Sequence, residues 1–297
     1  MVNGKWNKTR LPPFTIYHLP FTKMRFTVLG SGSSGNAVLL SAGRTNVLVD
    51  AGMSAKEIVR RLALMGCDAA TLDGVIITHE HGDHAGGLRV LLKTLSCPVY
   101  ISGETREAYI GEREATGRDE PRKRADVLRD RTEEISSSQD FRIGEIDFHP
   151  FTIPHDAADN FGFTARHDGV CVATLMDFGH ITTLINERLR GCAAIIIESN
   201  HSRDMLKACS VYPWELKQRI LSRNGHLSNE DVALWLRDDY DGGAEHIVLA
   251  HLSQRANNPY VAKLSAEVAL QERGSFFSTD TKITLSFPKE PTPWIEL

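Results

Sequence analysis

Directly after the apolar run Gly74-Val75-Ile76-Ile77-Thr78 come His79-Glu80-His81-Gly82-Asp83-His84, which packs four side chains able to hold a metal into six residues. The apolar run reads as a buried strand. A strand that ends in such a cluster has to open at a sheet edge, because ionisable groups are costly to bury without partners. Extended backbone sends alternate side chains the same way, so His79 and His81 can reach one ion together. Gly82 lets the chain turn and aim Asp83 and His84 at a neighbouring point. Imidazole and carboxylate suit zinc, manganese or iron, and a set so rich in histidine leans away from magnesium.

The rest of the chain supplies the scaffold that such a strand needs. Phe26 to Gly30, Ala37 to Ser41 and Thr45 to Asp50 read as hairpin strands separated by glycine-bearing turns. Ser54 followed by Glu57 signals a helix start, Ile58, Leu62 and Met65 recur at helical spacing, and Gly66 stops it. Leu88 to Leu95 predicts a helix and Pro98 to Ser102 a strand. Residues 103–140 are densely charged with both signs mixed, which predicts a solvated excursion of one or two helices and a loop. Strands are expected at Phe141 to Phe151, Phe161 to Arg166, Val170 to Met176, Ala193 to Glu198, His246 to Ala250 and Lys282 to Phe287. Helices are expected at Thr182 to Leu189, around Trp214 to Ser222, from Ser228, and after Pro259. Hairpins first and β-α alternation later predict an α/β or α+β single domain over residues 24–297. Residues 1–23 look like a poorly ordered extension, and Met24 stands immediately before the first strand.

Three further candidates stand where an apolar run meets a turn: His155 in Ile153-Pro154-His155-Asp156, Asp177 in Met176-Asp177-Phe178-Gly179, and His251 in Ala250-His251-Leu252-Ser253. Each alone is explained by turn formation or packing. Together with the cluster they make seven ligands, enough for two divalent metal ions per chain with one carboxylate between them.

His-x-His-x-Asp-His, with an upstream Asp and later His, Asp and His, resembles the metallo-β-lactamase superfamily. The similarity runs from Met24 to Phe287. Gly32-Ser33-Ser34-Gly35-Asn36, Val49-Asp50-Ala51-Gly52, Pro154-His155-Asp156-Ala157, Glu198-Ser199-Asn200-His201, Gly225-His226-Leu227-Ser228-Asn229 and Ala250-His251-Leu252-Ser253 resemble its YycJ/WalJ-type branch, described as 5′→3′ exonucleases of double-stranded DNA. The resemblance implies an αββα four-layer sandwich, two facing mixed sheets flanked by helices. It implies that His79, His81 and His155 hold one ion, that Asp83, His84 and His251 hold the other, and that Asp177 bridges them. Asp50, behind these, would orient a ligand histidine. Asn160 and Phe178 stand where related sequences often show Pro and Thr; neither is a proposed ligand, but both can alter the rim.

Hydrophobic residues at 41% and charged residues at 24% fit a soluble globular chain. Five cysteines without a C-x-x-C pair argue against a disulfide framework and fit a cytoplasmic protein, and no stretch approaches a membrane span. The net charge of −4 argues against holding phosphates by bulk charge alone, and bound divalent cations would serve to attract them. Two such ions would acidify a water for attack on phosphorus. Asp83 and His226 are the expected catalytic residues, with His226 giving a proton to the leaving group. Ser34, Asn36, Asn200, His201, Ser228, Asn229 and Asn257 are the expected contacts to substrate, and the basic stretch Arg203, Lys207, Lys217, Arg219 and Arg223 is a second candidate for contact with a phosphate backbone. The expected partner is nucleic acid, DNA above all. Zinc or manganese are the expected cofactors, with iron admissible. The alternatives are a phosphodiesterase of small esters or cyclic nucleotides, a thioester or lactam hydrolase, and a di-iron oxygen-reducing protein. His81 argues against the last, which has Glu at that position.

Overall fold

The computed structural model describes residues 23–111, 121–273 and 280–297, so the extension expected over residues 1–23 lies, but for Lys23, outside the described residues. The first half of the chain forms β1 (Arg25–Gly30), β2 (Ala37–Ala42), β3 (Thr45–Val49), α1 (Ala55–Leu64), β4 (Gly74–Ile76), α2 (Gly82–Ala85) and α3 (Leu88–Leu91). There follow β5 (Val99–Ile101), α4 (Gly103–Gly111), α5 (Pro121–Leu128) and β6 (Thr132–Glu134). The second half forms β7 (Phe141–Ile143), β8 (Ile146–Thr152), β9 (Phe161–His167), β10 (Val170–Leu175), α6 (Thr183–Leu189) and β11 (Ala194–Glu198). After these come α7 (Arg203–Ala208), α8 (Trp214–Ile220), α9 (Asn229–Asp238), β12 (His246–Ala250), α10 (Pro259–Glu272), β13 (Lys282–Leu285) and β14 (Ile295–Glu296).

Two mixed sheets result, ordered β14-β1-β2-β3-β4-β5-β6 and β13-β12-β11-β10-β9-β8-β7. In the first, β1, β2 and β3 pair antiparallel, while β3 to β6 run parallel. The second mirrors this, with β10 to β13 parallel and β7 to β10 antiparallel. Alternation along the strands decides which way each side chain packs. Val47 and Val49 of β3 and Ile76 of β4 enter a core shared with Phe148, Phe163, Val172, Ile196 and Val248 of the second sheet. Leu48 and Val75, one residue out of step, pack outward with Ile58 and Leu62 of α1. Ile195, Ile197, Ile247 and Leu249 likewise face Val232 and Leu236 of α9 and Ala262 and Ala266 of α10. Helix, sheet, sheet and helix therefore stack as four layers. Full burial of each such side chain contributes ~1.5–3 kcal/mol.

Local signals explain most of the boundaries. Ser54 accepts from the Glu57 amide and Ser228 from the Asp231 amide, each capping the helix that follows. The strand expected over Phe141 to Phe151 splits into the hairpin β7–β8, because Gly144 at φ +54 turns the chain. The charged excursion holds helices as expected, α4 and α5, but it is not wholly solvated. Tyr109 and Leu128 are buried in the outer core, and Thr132–Glu134 adds a parallel edge strand to β5. Those few apolar residues are too sparse to register as a helical or strand period. Among the described residues no helix is long and apolar enough to cross a membrane.

Candidate metal centre

All the strands that carry candidate residues run the same way within their sheets, so their C-terminal ends meet at one edge. Asp50 follows β3, His79 follows β4, His155 follows β8, Asp177 follows β10, Glu198 ends β11 and His251 follows β12. At Asp50, Asp177 and His251 the backbone turns left-handed, with φ of 63°, 59° and 52°. This conformation is uncommon outside glycine but tolerated by Asp and His. It ends each strand abruptly and swings the side chain inward. Asp83 and His84 arrive instead on the single turn of α2, which Gly52 holds close, since a Cβ there would lie 1.7 Å from the Asp83 carbonyl oxygen.

His79, His81, His155 and Asp177 each offer a ligand atom within 4.8 Å of the others, and Asp83, His84, Asp177 and His251 form a second such group. Asp177 belongs to both. Its Oδ2 lies 3.1 Å from His84 Nε2, 3.4 Å from His79 Nε2 and 3.8 Å from His155 Nε2. Asp83 Oδ2 lies 3.3 Å from His251 Nε2. The structure thus brings together all seven residues picked out along the chain as ligands.

Hydrogen bonds behind the cluster select which ring nitrogen faces inward. His84 Nδ1–H donates to Asp50 Oδ2 at 2.7 Å. The Thr78 hydroxyl donates to Asp50, so the His79 Nδ1–H at 3.0 Å donates to Thr78 Oγ1. His155 Nδ1–H donates to the Gly225 carbonyl at 3.2 Å. His251 Nδ1–H donates to Glu198 Oε1 at 2.8 Å. Each of these four rings thus turns Nε2 toward the cluster, where His84 Nε2 also accepts from Asn36 Nδ2, whereas His81 presents Nδ1, 3.3 Å from His155 Nε2.

Buried atoms test whether a cation fits. His79 Nε2 and His251 Nε2 are buried without a hydrogen-bond partner among the described residues, as is Asp177 Oδ1, which lies 2.5 Å from His251 Nδ1 but off the direction of a hydrogen bond. Orphaned acceptors of this kind, converging in a set of nitrogen and oxygen donors, are what a divalent ion would satisfy. Burial pushes the His79 pKa down, and the nearby His84 adds to it. Burial also opposes ionisation of Asp177, yet His251 and His84 outweigh it and hold its carboxyl well below the usual range.

Glu198 is the residue that spacing along the chain does not single out for a role. It is fully buried, and it accepts from the Phe178 amide at 3.0 Å, the Leu227 amide at 3.2 Å, and the Nδ1 atoms of both His226 and His251 at 2.8 Å. Burial opposes its charge, but His226 and His251 overcome this and lower its pKa to about 2. The signal was present, since a carboxylate closes the apolar run Ala194-Ile195-Ile196-Ile197, but the same pattern also describes an ordinary strand end.

Beside the cluster opens a pocket of about 440 Å³, lined on its metal side by His81, Asp83, His155 and His251 and by His226. Of the residues expected to meet substrate, Asn200 lines it; the others do not. Ser33 takes the place expected for Ser34. Asn36 lies beneath, with Nδ2 donating to His84 Nε2 at 2.9 Å and Oδ1 accepting from Ser31. Ser228 is spent on its helix cap. Asn229 and Asn257 bond each other and tie Ser199 and Asn200 in place. His201 is buried away from the pocket, and its desolvated ring has a pKa of about 4. Polar residues at strand ends are equally suited to tying loops together, and here that use prevails. Of the basic stretch, Arg219 alone reaches the pocket, where it pairs with Asp156. Arg203 binds Asp231, Lys217 the Lys207 carbonyl, and Arg223 the His180 ring.

Comparison with known proteins places this geometry in context. A family model described as the metallo-beta-lactamase superfamily matches residues 30–195. Exodeoxyribonuclease YycJ of Bacillus anthracis is 32% identical over 272 residues, 91% of this chain and 97% of the relative. Exodeoxyribonuclease WalJ of Streptococcus pneumoniae is 31% identical over 278 residues, 92% of this chain and 98% of the relative. Among solved structures, the metallo-beta-lactamase fold protein YhfI of Bacillus subtilis superposes with a TM-score of 0.64 at 16% identity, over 91% of this chain and 99% of its own. Zinc-bound PqqB of Methylobacterium extorquens gives 0.65 at 15% identity, over 90% and 99%.

Proposed function

Since the chain belongs to the metallo-β-lactamase superfamily, we propose that it is a two-metal phosphodiesterase that degrades DNA from the 5′ end. One observation carries the two-metal part. Of three groups of four ligand atoms that share Asp177, two are made of ring nitrogens and carboxylates turned to the cluster, while the third, with Glu198, His226 and His251, has both histidine Nδ1 atoms bonded to Glu198. The choice of DNA and of an exonuclease rests on full-length similarity to relatives of that name. We read residues 24–297 as one domain, because both sheets contribute to the inner core. Free cysteines at all five positions favour a reducing cytoplasm.

His79, His81 and His155 would hold one ion, Asp83, His84 and His251 the other, and Asp177 both. The absence of thiolate from this donor set suits zinc or manganese, with iron admissible. Bound there, divalent ions supply Lewis-acid stabilisation of charge on the phosphoryl oxygens and acidify the attacking water. The remaining steps belong to side chains of this chain. Asp50, Thr78, Glu198 and the Gly225 carbonyl lock the ligand rings and so remove the cost of orienting them. His226 is fixed through Nδ1 on Glu198 and lines the pocket with the rest of its ring. Burial opposes its charge, but the Glu198 and Asp177 carboxylates raise its pKa. It can therefore carry a proton on Nε2 and deliver it to the departing oxygen.

His226→Ala is expected to keep its full metal content while kcat falls about 10²- to 10⁴-fold. Linear duplex DNA is expected to be degraded to acid-soluble nucleotides by the wild type, and a covalently closed circle of the same sequence to survive. Nicking of the circle would replace the exonuclease reading with an endonuclease. Turnover of small phosphodiesters alone would favour the second reading, for which the modest pocket volume speaks. An unimpaired His226→Ala protein would remove His226 from the mechanism.

A further inference from the structure

Part of the pocket wall carries no metal ligand and is mostly apolar. It is made by Tyr212, which stands just before α8, and by Leu216 and Ile220, which lie four residues apart on one face of that helix. Their backs rest on Leu206 and Ala256 in a small separate core. Two links tie this wall to the metal side. Tyr212 Oη lies 3.4 Å from Ser253 Oγ, two residues beyond His251. The His226 amide donates to the Ile220 carbonyl at 3.0 Å. Between them Gly225 packs so closely that a Cβ would lie 2.3 Å from the Arg219 and Ile220 carbonyls. The wall is thus set at a fixed distance from the proposed proton donor and ligands.

Resting on the phosphodiesterase reading above, we infer that this wall is a nucleoside subsite, with the Tyr212 ring stacking on the base next to the scissile phosphate. Size argues for it. A pocket of about 440 Å³ lies within the usual range for a small ligand, ~300–1,000 Å³, and cannot admit a duplex. The nucleotide that reaches the metals has to leave its stack, and the stacking it loses has to be replaced if the step is to be favourable. An aromatic face beside aliphatic side chains does this for any base, because every base has a π-face. Arg219, half-exposed at the mouth and paired with Asp156, sets a cation where the next phosphate along the strand would pass. The subsite is therefore tolerant of sequence and demands a base.

Two esters that release the same leaving group separate this from a structural role for Tyr212, namely thymidine 5′-(p-nitrophenyl phosphate) and methyl p-nitrophenyl phosphate. The wild type should prefer the nucleoside ester in kcat/KM. Tyr212→Leu, which keeps apolar volume over Leu206 and Ala256 but lacks a π-face, should lower that preference about fivefold or more, mainly through KM. Tyr212→Phe should restore it. An unchanged preference in Tyr212→Leu, or an equal loss in Tyr212→Phe, overturns the subsite. Calorimetric binding of thymidine 5′-monophosphate to the metal-loaded protein decides the matter without turnover. If neither ester is cleaved but the nucleotide binds and Tyr212→Leu weakens it about fivefold, the subsite stands and the phosphodiesterase reading falls. No binding by the wild type at millimolar nucleotide, or equal affinity in the variant, overturns the subsite.

Discussion

Asp177→Asn is expected to leave a folded protein that binds metal poorly at both positions and has lost about 10³-fold or more in kcat/KM. Asn is the appropriate probe, because it tolerates the left-handed backbone at φ 59° and matches the volume of Asp in a fully packed site. What it lacks is the negative charge that faces His79, His84 and His155 through Oδ2 and His251 through Oδ1. If loss of a partner behind a ligand weakens one ion about 10–100-fold, loss of a shared anionic ligand should do at least this to each of two. Elemental analysis after gel filtration is the check. Retention of one ion at full occupancy would mean that Asp177 serves a single position and does not bridge.

Glu198→Gln is the second large effect, and it tests a residue that touches neither proposed substrate nor proposed metal. Four N–H groups converge on this carboxylate. An amide in its place must turn its own NH₂ against two of them, whichever way it is flipped, and it removes the charge that supports both histidines. Breaking a buried, hydrogen-bonded charge pair typically costs about 3–5 kcal/mol. For a chain of this size that corresponds to a fall in Tm of roughly 10 °C. Loosening His251 should weaken metal binding about 10–100-fold. Because His226 loosens with it, excess metal should restore occupancy but not the full rate. Complete rescue by metal would show that Glu198 acts through His251 alone. A variant as stable and as active as the wild type would remove Glu198 from the account.

Residues 79–84 and the strand ends were readable because they break a rule. Charged and ligating side chains directly follow fully apolar runs, where surface loops rarely concentrate so many donors. The strands themselves indicated only an α/β or α+β domain; the four-layer order came from the family resemblance, and it is the opposite facing of Leu48 and Val49, or Ile195 and Ile196, that realises it. What was hidden had ambiguous local signals. Asn229, Asn257 and Ser228 look like phosphate donors along the chain, yet in space they bond each other and the backbone. The short edge strand Thr132–Glu134 is polar throughout, and no periodicity can mark it. Tyr212 and Leu216 carry no signal of their own along the chain, and only the pocket shows that they share a cavity with the metal ligands. Interactions that couple distant positions, such as Glu198 with His226 and His251, have no signature in one sequence.

The proposed function requires that two divalent ions, held by these seven residues, drive phosphodiester hydrolysis. Its most direct test is to titrate metal-free protein with manganese, and separately with zinc, while following 5′-labelled linear duplex DNA. No release is expected without metal, and release of labelled nucleotide should rise to a plateau at two equivalents per chain. Full-rate degradation by the metal-free protein, or two tightly bound equivalents with no release, would contradict it.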